Sequence, residues 1–252
     1  MSTPVVLVPG APALVPELSG AAAADSARQV AACLEILDHA AAGASRVVVL
    51  GTDPAGHTLG DVRSTLSRWG VAVPVGRSTA PQAAHDDVPD AALLGWWFLD
   101  RSGIDLPRTF VGLACDGCPT WTPEPDTLVV VVADGPASLT PRAPIFEDPR
   151  GVTLDSELAG WLRSGGPLPD PGAAVSDAVG WWSRQAWRLL GGMVGERAAR
   201  ESVSWAPFGV GYHCARWDLS ASSASSASSA SSSSSASASA ASSDTATPGG
   251  AA

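Results

Sequence analysis

Asp53 and His57 stand four residues apart, just past the apolar run Val47-Val48-Val49-Leu50 and the break at Gly51. An imidazole near a carboxylate can ligate a metal or move a proton as a general base. Thr52 adds a hydroxyl to the same loop. Asp-Pro and Gly also form turns on their own account, so a plain solvated loop is the competing reading. The stretch GTDPAGHTLG lacks the lysine with which a phosphate-binding loop reaches its ligand, which excludes that chemistry.

A second polar pair, Asp134-Gly135, follows the apolar run Val129 to Val132. His213 and Cys214 fall on a strand expected over Val210 to Arg216. Strand neighbours point to opposite faces, so only one of them can face a cleft; packing near Trp217 is the alternative. Cys115 and Cys118 form a C-x-x-C. Pro119 and Pro123 oppose the helix that a redox pair needs, and no second C-x-x-C completes a zinc site. No essential metal or disulfide is expected there. No G-x-S-x-G elbow is present, and the carboxylates are too scattered in sequence to nominate an acid–base couple.

The elements that must position these residues alternate between strand and helix. Continuous apolar runs at Val5–Val8, Val47–Leu50 and Thr127–Val132 suit strands covered on both faces. Thr109 to Ala114 reads as a further strand and Val71 to Val75 as a short one. Helical spacing predicts helices over Ala21 to Ala42, Asp61 to Trp69, Asp90 to Ser102, Leu154 to Arg163 and Ala173 to Met193. This alternation predicts an α/β layered sandwich with a mostly parallel central sheet flanked by helices. Parallel strands put their carboxyl ends on one edge, where ligands of open α/β sheets bind. Gly10, Pro12, Thr52, Asp53, His57, Asp134 and Gly135 should therefore gather there, with His213 added from the side.

Of 252 residues, 25 are acidic and 15 basic, all arginine, for a formal charge of -10. Such a chain, with no basic cluster, excludes nucleic acid and anionic membrane as natural partners. Prolines at Pro9, Pro12 and Pro16 interrupt the first apolar stretch, and no basic residue precedes it. It reads as neither a signal peptide nor a membrane span, and a soluble cytoplasmic protein is the expectation. From Ser220 the composition is almost wholly Ser and Ala. It predicts a domain over 1–219 and a disordered tail over 220–252. Ten tryptophans include the adjacent pairs Trp96/Trp97 and Trp181/Trp182. In each pair one ring should enter the core and the other lie at its edge, where it would suit a contact between copies of the chain.

The segments VPGAPALVPEL at Val8–Leu18, VVVLG at Val47–Gly51, ADGPASLTPRAP at Ala133–Pro144 and APFGVGYHCARW at Ala206–Trp217, together with RQAWRLLGG at Arg184–Gly192, carry a resemblance. Taken together they resemble the class III extradiol ring-cleavage dioxygenase-like proteins of high-GC bacteria, the LigB-like superfamily. The resemblance implies an α/β sandwich with its cleft at the strand ends. It implies, for ring-cleaving members, iron(II) held by two His and a carboxylate, with a further His as acid–base catalyst and open positions for a catechol and O₂. The metal candidates on that basis are Asp53, His57 and Asp134, and the acid–base candidates His57 and His213. The first metal His of such members stands in a Pro-His-Pro-like context, which here reads Pro9-Gly10-Ala11-Pro12. Gly10 has no ligand atom, so tight iron binding is not expected. Three functions follow: a small-molecule or partner-binding protein with a degenerate site, a metalloenzyme with a rearranged site, or a non-catalytic partner chain.

Overall fold

The computed structural model describes residues 2–114, 121–122 and 124–220. Cys115, Cys118 and the Ser/Ala stretch from Ala221 lie outside the described residues. The strands are β1 (Ser2–Val8), β2 (Arg46–Thr52), β3 (Thr58–Leu59), β4 (Ser64–Thr65), β5 (Pro74–Val75), β6 (Arg108–Leu113), β7 (Thr127–Val132), β8 (Glu201–Trp205) and β9 (Tyr212–Ser220). The helices are α1 (Pro16–Ser19), α2 (Ala27–Ala41), α3 (Asp90–Arg101), α4 (Pro149–Ser164), α5 (Ala173–Ala178) and α6 (Arg184–Val194).

Seven strands form one sheet in the order β3-β6-β2-β7-β1-β9-β8. The four central strands run parallel, with Val48 opposite Val129 and Val5 opposite Val129 on its other side. The outer strands β3, β9 and β8 join antiparallel, so the sheet is mixed and only its centre has the expected parallel form. Alternate residues of the central strands feed two layers. Val6, Val8, Val49 and Val130 pack beneath α2 and α3. Val5, Leu7, Leu50, Val129 and Val131 pack beneath α4 and α6 with Trp161, Trp187 and Trp217. Both faces being covered is why the sequence shows no polar alternation there. At the end of β2, α3 lies so close that a Cβ on Gly51 would come within 2.4 Å of Ala91 Cβ. Only glycine permits that approach.

Several elements differ from the sequence expectation. No α-helix forms over 61–69, only a 3-10 turn at Ser67–Trp69. Arg63 instead exchanges backbone bonds with Pro81 and Ala83, and Leu66 N–H donates to Val73 O at 2.9 Å, which draws 64–65 into a short antiparallel pair with β5. The helix expected over 21–42 is α-helical only from Ala27, after a 3-10 stretch at Gly20–Asp25. The one expected over 173–193 is two helices, broken where Gly180 takes φ of 67°. Trp96 and Trp97 are both buried, whereas Trp181 is buried and Trp182 exposed, so only the second pair divides as expected. The strand β9 reaches Ser220, opposite Ser2. No helix of the described residues is long and apolar enough to cross a membrane.

Candidate functional site

The strand register sets Gly51 of β2 opposite Val132 of β7, and Val8 of β1 opposite Val132 on the other side. The loops holding Gly10, Asp53 and Asp134 therefore leave the sheet at one edge. Their side chains part from there. The Asp53 carboxylate turns toward β6: a Cβ on Gly112 would lie 2.6 Å from Asp53 Oδ2. Asp53 Oδ2 accepts the His57 backbone N–H at 2.7 Å and meets His57 Nδ1 at 2.8 Å. Asp53 is buried while the His57 side chain is half exposed. The pair thus fixes the turn and orients one imidazole toward solvent. The Thr52 hydroxyl is buried without a hydrogen-bond partner among the described residues.

Asp134 turns the other way, toward β1. Its Oδ1 accepts the Gly10 N–H at 2.8 Å, and its own N–H donates to Ser183 Oγ at 3.2 Å. Its carbonyl accepts Trp187 Nε1–H at 2.8 Å. Beside it opens a cavity of about 260 Å³ lined by Gly10, Pro12, Asp134, Gly135, Trp182 and Tyr212, among others. Asp134 keeps a little accessible surface, yet dense protein surrounds it. Burial, against the weaker effect of the Gly10 N–H, pushes its carboxyl up to about 7. Burial, with the Asp134 charge second, also pushes the Tyr212 phenol up.

His213 does not face this cavity. It is fully buried, with Nδ1 at 2.8 Å from Ser204 Oγ and Nε2 at 3.0 Å from Asp155 Oδ1, and its ring lies edge-on to Trp187. Cys214, on the opposite face, packs toward Cys33 on α2, and burial raises its thiol pKa well above the ordinary value.

The structure thus brings Asp53 to His57, and Gly10, Pro12 and Gly135 to Asp134, with His213 in a third group and Thr52 outside the cavity. These residues do not fit the iron(II) that the family resemblance implies. Gly10 offers no donor, both His213 nitrogens are engaged inside the protein, and no three His, Cys, Asp or Glu side chains converge among the described residues.

Tyr212, Ser183 and Trp182 were not marked by the sequence as cavity residues, nor Asp155 and Ser204 as partners of His213. The alternation of β9 could have shown that Tyr212 opposes His213. Nothing in the spacing of Asp155 on α4 singles it out. Compared with known proteins, the chain matches no family model and no curated protein.

Proposed function

We propose that this chain is a LigB-like α/β domain that binds a small molecule in the Asp134 cavity, without the iron chemistry of the ring-cleaving enzymes it resembles. The observation that carries this reading is Gly10. Where the resemblance expects a metal-binding His, Gly10 instead gives its N–H to Asp134 and leaves the wall of a 260 Å³ cavity open. Mostly apolar walls with a few polar groups at the carboxyl edge of a parallel sheet are the usual form of a ligand site.

A metalloenzyme with a rearranged site would need Asp53, His57, Asp134 and His213 to share an ion, and their side chains lie in three separate groups. The test is titration of the full chain with a small neutral aromatic probe, benzyl alcohol, followed by NMR. Val210→Trp, which places a large ring on the cavity wall, should abolish the probe's shifts. Undiminished binding by that variant would overturn the cavity reading. Near-stoichiometric iron with cleavage of a catechol would overturn the degenerate-site reading.

A further inference from the structure

We propose that the Asp134 cavity selects an organic amine: an ammonium group pairs with the free oxygen of Asp134, and its carbon skeleton lies against Trp182 and Tyr212. The inference rests on the reading that this cavity is a ligand site. Asp134 Oδ1 is engaged by the Gly10 N–H, whereas Oδ2 has no hydrogen bond or ion pair among the described residues. No Arg or His lines the cavity, and the chain contains no Lys. A carboxylate enclosed by protein is costly unless a cation or donor meets it. An ammonium ion supplies both in one charge-assisted contact.

The rest of the wall suits such a ligand. Ala11, Pro12 and Val210 are apolar and match a hydrocarbon skeleton. Trp182, 62% exposed, stands at the rim with its ring beside Gly180, and Tyr212 forms an inner wall. Aromatic faces attract cations, most strongly where water is excluded. Ser183 Oγ and the Tyr212 oxygen are further acceptors for the remaining N–H groups. An anionic ligand would meet the Asp134 charge unopposed. A neutral acceptor such as a carbonyl would require Asp134 to hold its proton, which gives the opposite dependence on pH.

The experiment compares benzylammonium with benzyl alcohol on the full chain by calorimetry. At about pH 8 the amine should bind at least about tenfold more tightly than the alcohol. Its affinity should fall as the pH drops through about 7, with proton release on binding near that pH. Asp134→Asn should weaken the amine at least about tenfold more than the alcohol, and Val210→Trp should remove both. If the variant at 134 fails to fold, the preference of the native chain for amine over alcohol at about pH 8, together with loss of both in Val210→Trp, decides. Alcohol bound as tightly as amine at about pH 8, or amine affinity that rises on acidification, overturns the amine inference while the cavity reading stands. Amine binding that survives Val210→Trp places it elsewhere and overturns the inference as well. Binding of neither probe overturns the inference and the cavity reading together.

Discussion

Asp134 holds its proton more tightly when folded than when unfolded, because burial penalises its charge. The folded chain then binds the extra proton between the ordinary value of 3.8 and about 7. This group's contribution to stability is full below about pH 4 and is lost as pH rises through about 7. At ~1.4 kcal/mol per pH unit the loss is on the order of 4 kcal/mol. Asn at 134 can still accept the Gly10 N–H but carries no titratable proton. Thermal melts between about pH 5 and about pH 8 should show Asp134→Asn gaining on the native chain as pH rises; parallel profiles would refute the assignment. At this scale the sequence was legible in part. Parallel topology places Gly10, Asp53 and Asp134 at one edge, and they are there. The direction each carboxylate takes was not legible, because it depends on which loop N–H meets it: that of His57 in its own loop for Asp53, that of Gly10 after β1 for Asp134. Gly10 and Gly112 flank the two carboxylates from opposite sides.

Among elements, α3 and β6 are joined by an ion pair between a buried arginine and a partly exposed carboxylate. Arg108, 2% exposed, donates to Asp100 Oδ1 at 2.6 Å and to Ile104 O at 2.8 Å, while Asp100 Oδ2 accepts the Gly76 N–H at 2.7 Å. One carboxylate thus ties the end of α3, the start of β6 and the turn after β5. Arg108→Ala leaves the partly solvated Asp100 without its cation and the Ile104 carbonyl without its donor, and should cost about 1–3 kcal/mol in urea unfolding. Replacing Arg108 and Asp100 together by apolar residues should recover much of that loss; equal costs for the single and double changes would show that the pair is not the cause. Strong strands and α3 were readable because their apolar residues face two layers or one helical face. The misread elements share a cause. Val62, Leu66 and Trp69 have helical spacing, but 61–69 finds its backbone partners in 73, 81 and 83. The segment 173–193 keeps helical spacing across a glycine whose positive φ ends the first helix, after which Trp181 N–H returns to Ser176 O at 2.8 Å. Local periodicity records which residues are buried, not which backbone groups pair.

For the whole molecule, the core is closed by β9, whose Trp217 is buried and whose last residue pairs with Ser2. The residues after Ser220 include no Leu, Ile, Val or aromatic side chain. A chain ending at Ser220 should therefore melt within a few degrees of the full chain, since hydrophobic burial is set by residues before that point; a large drop would show otherwise. Strand order could not be read from the sequence, because alternation fixes neighbours in chain order only. The mixed sheet arises from β3, which runs antiparallel to β6 at one edge, and from β9 and β8, which run antiparallel to β1 and to β9 at the other.

The layer beneath α4 and α6 has an optical consequence. Trp217, Trp161, Trp187 and Trp181 form an unbroken row, each ring centroid 5.8–6.3 Å from the next. Indoles at such spacing pass excitation from ring to ring before they emit, so light absorbed by one of the four can leave from another. Trp187, inside that row, also donates to the carbonyl of Asp134. A change in charge or occupancy beside Asp134 is therefore wired into the emission of the whole layer, and the light leaving Trp161 or Trp217 carries news of a site that neither ring lines.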